Sequence, residues 1–361
     1  MEAPKGLEGV VVCETKLSDV QAKGELTYRG LAIEQLVEQS FEEVVAHLLG
    51  QDVTPVLQQH ANLTSAQSQA VLGLSRNLHP MKLLQSIVPL LNDGFSDGSA
   101  IELAGPADTD GVLALGCYVA AKMPAIVLTH LSGKAVRLDE NAPYVQRFVD
   151  GLRECAAGEN ANSVDYDACR VAQILQLEHS LNAGTFAARV VASTLARVDS
   201  AIAAGIGALS GPLHGGADQD VLEIVDQLAD ETAAIAWVEQ MLDQGRKIPG
   251  MGHREYRARD PRAKCLYSWA QQMSDGTEHE LTFKKLTTVE RVFREHMQTK
   301  GKDLYANVEF YKGVVYRCIG LPNHYFTAGF AMARVFGYIA HYIENAQDNR
   351  IYRPAARYVG N

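Results

Sequence analysis

The sequence predicts a mainly α-helical protein with a small β-hairpin near its N-terminus, and three observations carry that prediction. Apolar residues recur at helical spacing through most of the chain. Short β-prone runs flanking a glycine-containing turn are confined to one stretch, GLEGVVVCETKLSDVQAKGELTYRG, which suggests a hairpin or two. From about 218 to 316 the chain becomes more charged and its helical patterns shorter. That shift suggests a smaller, mobile domain inserted between two parts of one helical body. The expected division is a large domain over 1–217 and 318–361 and a small domain over 218–317.

Each element has its own signal. IEQLVEQSFEEVVAHLLG is amphipathic at helical period and ends on Gly50, a C-cap residue. DACRVAQILQLEHSLNAGTFAARVVASTLARV and AIAAGIGALSG are alanine-rich and apolar on nearly all sides, as in helices buried within a large α-protein. YFTAGFAMARVFGYIAHYIENAQ, near the end, reads the same way. The glycine-, proline- and arginine-rich RKIPGMGHREYRARDPRAK reads as a loop.

With 361 residues and 47% apolar content, the chain is long enough for a large core. A formal net charge of -10 opposes nucleic-acid binding, whose footprint is a basic face, and lends no support to binding an anionic membrane. The six cysteines, at 13, 117, 155, 169, 265 and 318, form no CxxC or Cys/His cluster, so buried thiols in a reducing compartment are expected. The start, MEAPKGLEGV, lacks a basic region followed by an apolar stretch. No uncharged apolar run reaches the roughly 18 residues of a membrane span. The expected location is the cytoplasm.

Three of the eleven histidines stand in unusual contexts. His179 falls inside an otherwise apolar helical stretch, while His214 and His253 follow or precede closely spaced glycines that let backbone approach a ligand. A single histidine in such a place is more often a satisfied core or turn residue. Zinc fits poorly: the three histidines and Glu309 are spread over 130 positions, with no pair at helical ligand spacing. Arg334 sits in an apolar helix, where a guanidinium is costly without an anion, and Arg262 and Arg353 could likewise grip a carboxylate or form internal salt bridges. Seven basic residues crowd 246–264 against only Glu255 and Asp260, which suggests either an anionic ligand or a solvated charged face. Dinucleotide, P-loop and GxSxG motifs are absent from the sequence. Glu309, in NVEFYKG, lies between two apolar neighbours.

Taken in order, GPLHGGAD, PGMGHREYRARDPRA, NVEFYKGVVY and FTAGFAMARVFGYIAHYIENAQDNRIYRP resemble the distinctive motifs of the citrate synthase family. The N-terminal hairpin stretch and NLHPMKLLQ fit the same resemblance, which spans essentially the whole chain. It implies a two-domain helical homodimer, with higher assembly open, whose small domain closes over substrate. The implied reaction condenses acyl-CoA with oxaloacetate and hydrolyses the thioester, with no metal or other cofactor; the coenzyme A thioester is a co-substrate. His214 would hydrogen-bond the thioester carbonyl, and His253 would polarise the oxaloacetate ketone. His179, Arg262, Arg334 and a partner-contributed Arg353 would hold the dicarboxylate, while Arg257, Lys247, Gly250 and Gly252 would contact coenzyme A.

Glu309 falls where the family's base is normally aspartate, as in NVDFYSG. Lys312 replaces a small residue, Asp218 follows HGGA where asparagine is common, and EHSLNAG departs from the usual HELNAST. Glutamate can abstract the same proton. Its extra methylene shifts the carboxylate by about one ångström, a displacement that can cost on the order of 10²-fold in rate. That equals roughly 2.7 kcal/mol of barrier. The expected activity is acetyl-CoA condensation to citrate. The alternatives are a 2-methylcitrate or longer alkylcitrate synthase and a non-catalytic paralogue that binds or assembles.

Overall fold

A computed structural model describes residues 4–95, 101, 108–158 and 161–360. The sheet is small and antiparallel: β1 (Ser18–Gln21) pairs with β2 (Glu25–Tyr28) in the register Ser18 to Tyr28, and β3 (Leu31–Ala32) adds to the far edge of β2. β1 and β2 thus occupy only the second half of the stretch the sequence marked, and β3 lies just beyond it. Gly24 turns the hairpin at φ 89°, and a Cβ there would lie 2.7 Å from the Arg259 carbonyl oxygen. The Arg257 N–H donates to Ala22 O at 2.8 Å. The hairpin tip is therefore docked on the basic segment.

Helices follow: α1 (Ile33–Leu36), α2 (Phe41–Leu49), α3 (Thr54–Gln59), α4 (Ser65–Gly73), α5 (Pro80–Ile87), α6 (Thr109–Ser132), α7 (Tyr144–Ala157), α8 (Ser163–Ile174), α9 (Ala183–Ser193) and α10 (Val198–Leu209). α2 starts at a Ser40/Glu43 capping box and stops at Gly50 with φ 79°. Next come α11 (Ala217–Asp226), α12 (Glu231–Asp243), α13 (Pro261–Ser274), α14 (Glu280–Thr299), α15 (Val308–Cys318) and α16 (Phe326–Gln347). α14, at 20 residues, is the exception to the shorter helices expected in this charged region.

The core is built on α6 and α16, both buried along most of their length and packed on each other, with α9 and α10 against α16. α6 is long and apolar enough to cross a membrane by length and composition, but 89% of its apolar stretch is buried inside the protein. α11 to α15 pack chiefly among themselves, and α13 and α15 also reach α8. Cys117 and Cys169 are buried; the other four thiols are only partly so, which corrects the expectation that all are buried.

The apolar stretch around His179 is not one helix. It breaks between Ile174 and Ala183, because Asn182 leaves the helix to accept the Thr185 N–H as an N-cap, and Ser180 takes φ 49°. His179 is therefore a loop residue, not a helical one.

Candidate active site

His179, His253, Arg262 and Arg334 converge around the α8–α9 break. His253 follows Gly252, whose φ of 85° turns the loop. Its Nδ1 accepts the backbone N–H groups of Glu255 (3.1 Å) and Tyr256 (3.2 Å). Arg262 Nη2 stands 3.3 Å from the ring's Nε2, so donors approach both nitrogens of the neutral ring. With the proton on Nε2, that N–H and the guanidinium can share one incoming oxygen. The His179 ring centroid lies 5.2 Å from that of His253, and its Nε2 is 3.0 Å from Tyr256 Oη.

Asp260 organises this region. Its carboxylate takes Arg262 Nε (3.0 Å), Arg262 Nη2 (2.8 Å) and the Val308 N–H at the start of α15 (3.1 Å). Asn307 caps α15 through the Glu309 N–H and donates its amide to Gly252 O. Gly250, at φ 74°, has Phe310 where a Cβ would be, 2.9 Å away, so packing alone accounts for this glycine.

Arg334 is 1% exposed on α16. Its Nε donates to Gln176 O at 2.7 Å, and its guanidinium lies 4.7 Å from the Phe330 ring centroid. The charge of Glu178 reaches it, but that carboxylate is held by His341 and Ser18, and no carboxylate among the described residues forms an ion pair with Arg334. Burial lowers the Arg334 pKa, and burial also pushes His253 down to about 4 and His179 well below its ordinary value, with Arg262 adding to both. At neutral pH the pocket therefore holds neutral imidazoles and two arginines, one without a direct ion pair.

His214 precedes α11. The Gly184 N–H, in the first turn of α9 where it has no partner within the helix, donates to His214 Nε2 at 3.3 Å. Asn182 Oδ1, which caps Thr185, is also 3.2 Å away; the Gly184 N–H can donate only to an unprotonated Nε2, which is the neutral tautomer with its proton on Nδ1. Gly184 is required: a Cβ would meet Tyr338 Oη at 2.2 Å. Burial, then Arg334, then Lys312 push His214 down to about 4.

Glu309, in the first turn of α15, is 6% exposed. Its Oε2 accepts Lys312 Nζ at 2.8 Å, while Oε1 has no hydrogen-bond partner among the described residues. Lys312, fully buried, also stands 3.0 Å from Asp218 Oδ2 as an ion pair off the hydrogen-bond direction, and 4.4 Å from the Phe330 centroid. Phe330 thus contacts both Lys312 and Arg334, joining the two parts of the site.

Other expected residues are not gathered here. Lys247 and Arg257 are exposed, Arg257 bonding to Arg254 O at 2.8 Å. Arg353 is exposed in the extended C-terminal segment and donates to Pro354 O. Among the described residues no group of three His, Cys, Asp or Glu is placed to hold a metal ion. Sequence reasoning missed Tyr256, Asp260, Asn182 and Phe330. Asp260 before Pro261 and Asn182 before Ala183 carried a readable signal, a capping side chain at a helix start.

The family profile described as Citrate synthase, C-terminal domain matches residues 6–355. The citrate synthase of Haloferax volcanii is 32% identical over 99% of this chain and 96% of its own. The 2-methylcitrate synthase of Shewanella oneidensis is 31% identical over 98% and 94%. The citrate synthase of Thermoplasma acidophilum, solved with carboxymethyl coenzyme A and oxaloacetate, superposes with a TM-score of 0.89 at 28% identity, covering 100% of this chain and 97% of that one. Sequence, fold and relatives agree that this chain belongs to the citrate synthase family and is a condensing acyltransferase of that type.

Proposed function

We propose that the protein condenses acetyl-CoA with oxaloacetate and water to give citrate and coenzyme A. The observation that carries this reading is the buried Arg334 guanidinium without a paired carboxylate, set among neutral imidazoles and joined through Phe330 to a carboxylate with one free oxygen. A dicarboxylate supplies the missing anion, held by Arg262 and Arg334 with His179. Its ketone oxygen takes the proton donors of His253 and Arg262. Glu309 Oε1 removes a proton from the methyl carbon of the thioester as His214 Nδ1–H hydrogen-bonds the thioester oxygen. The resulting enol carbon attacks the ketone carbon, forming citryl-CoA, and water then cleaves the thioester.

The basic segment supports coenzyme A binding through the exposed cations Arg257 and Lys247; Gly252, at φ 85°, turns the loop that carries them, and Gly250 is placed by packing. We assign Arg353 to the site of a partner subunit in a homodimer, and the segment 218–317 to a domain that closes over substrate. The reaction as written uses no metal or other cofactor, and the expected location remains the cytoplasm.

Propionyl-CoA is the alternative donor, giving 2-methylcitrate. One methylene in an apolar pocket is worth only about 1–3 kcal/mol, so donor preference rests on small differences. Free-thiol release with oxaloacetate and acetyl-, propionyl- or butyryl-CoA tests the reading. Oxaloacetate-dependent release, fastest with acetyl-CoA, is expected. Faster release with propionyl-CoA would move the assignment to an alkylcitrate synthase. No release with any donor from folded protein would leave the non-catalytic paralogue.

A further inference from the structure

Three departures from the family pattern, at 218, 309 and 312, are scattered in sequence but form one cluster in space. α11 packs on α15, and Lys312, one turn beyond Glu309, reaches both Glu309 (2.8 Å) and Asp218 (3.0 Å). We propose that Lys312, anchored by Asp218, is a positioning residue that sets the Glu309 carboxylate for proton abstraction. The proposal rests on the reading of Glu309 as the base.

The argument is one of reach and of charge. Glutamate is a methylene longer than the side chain it replaces. An ammonium on the next turn draws the carboxylate back along its own helix, fixing Oε2 and leaving Oε1 open. The Lys312 ammonium is accounted for on three sides, by Glu309, Asp218 and the Phe330 ring.

A lysine alone would serve poorly. When Glu309 takes a proton it loses its charge, and a fully buried ammonium would be left without an anion. Asp218 prevents this. With both carboxylates ionised the cluster carries one net negative charge, and after proton transfer the Lys312–Asp218 pair remains and the cluster is neutral. Burial pushes Asp218 up to about 6, which still leaves it ionised in a mildly alkaline assay. Lys312 also contributes to keeping His214 neutral, the form that donates from Nδ1.

The test compares glutamate with aspartate at 309 in two backgrounds, the natural chain and Asp218→Asn/Lys312→Met. The paired change removes a cation and an anion together at nearly constant volume, so the net charge of the cluster is unchanged while Glu309 loses its anchor; thermal melting and calorimetric oxaloacetate binding verify the fold. In the natural background Glu309→Asp is expected to lower kcat by about 10²-fold, with the oxaloacetate KM unchanged. In the paired background the preference inverts, and the chain with aspartate turns over faster than the chain with glutamate. A merely structural role for Lys312 would move melting but leave the glutamate preference intact, and a preference of equal size in both backgrounds overturns the proposal. Absence of thiol release from the natural chain overturns the functional reading itself, and it is seen before any variant is made.

Discussion

The two parts of the site handle charge in opposite ways. Around Arg262 and Arg334 direct pairing is incomplete: Asp260 satisfies Arg262, but Arg334 touches a carbonyl and an aromatic ring and no carboxylate, Glu178 acting on it only at a distance. Around Glu309 every charge has an opposite neighbour, a lysine between two carboxylates, all buried, with one net negative charge. Burial makes both arrangements costly in isolation. On the proposed reading, the incompletely paired set is completed by a charged ligand, whereas the self-paired set is held for work on an uncharged group, the carbon next to a thioester.

The largest effect expected from separating the two parts is that of Glu309→Ala. Loss of a general base typically costs about 10²–10⁴-fold, so kcat falls by about that factor. Oxaloacetate affinity, measured by calorimetry, stays close to that of the natural protein because Lys312 keeps Asp218. Loss of oxaloacetate binding in this variant would show that the two parts are not separable.

Arg334→Met comes next and sharpens the contrast by reversing it. Charge-assisted hydrogen bonds contribute about 1.5–3 kcal/mol each, so oxaloacetate affinity drops by about 10- to 100-fold. The free protein becomes more heat-stable, since a buried guanidinium lacking an ion-pair partner has been replaced by an apolar side chain. A fall in melting temperature would mean that Arg334 is already satisfied without substrate.

The smallest expected effect is in pH dependence, and its sign differs between the two parts. His253 titrates near 6.5 when unfolded and about 4 when folded, so below 6.5 the unfolded chain binds the extra proton and acid costs stability. Asp218 runs the other way. Its folded value of about 6 lies above the unfolded 3.8, so between them the folded chain binds the extra proton and acid adds stability. Denaturant midpoints from pH 4 to 7 should therefore flatten with His253→Gln and steepen with Asp218→Asn. Parallel slopes in the two variants would contradict this assignment.

Much of this was legible in the residues. The end of α2 was marked by Gly50, although the helical run read from Ile33 breaks at 37–40 where Ser40 caps α2; α16 was marked by its apolar run, and the loop before α13 by its glycines and charge, although the stretch read as loop through 264 turns helical at Pro261. The α8–α9 break was not, because alanine and leucine on both sides of Asn182 outweigh one capping side chain in any periodicity count. His214, His253 and Arg334 stood out individually. The Asp218–Lys312–Glu309 cluster did not, since 91 residues separate Asp218 from Glu309 and only the packing of α11 on α15 brings them together. Asp260 was hidden differently: next to Arg262 it reads as a local salt bridge, and its grip on Val308 belongs to the fold.

That grip has a consequence for how such a protein can diversify. One carboxylate holds both the arginine assigned to the ketone substrate and the first turn of the helix bearing the base. On the proposed reaction, the spacing between the ketone carbon and the base would then be fixed whatever hangs from the thioester. A change of acyl donor would ask only for a reshaped pocket wall, with the bond-forming geometry kept. Relatives named for citrate and for 2-methylcitrate stand at 32% and 31% identity to this one sequence.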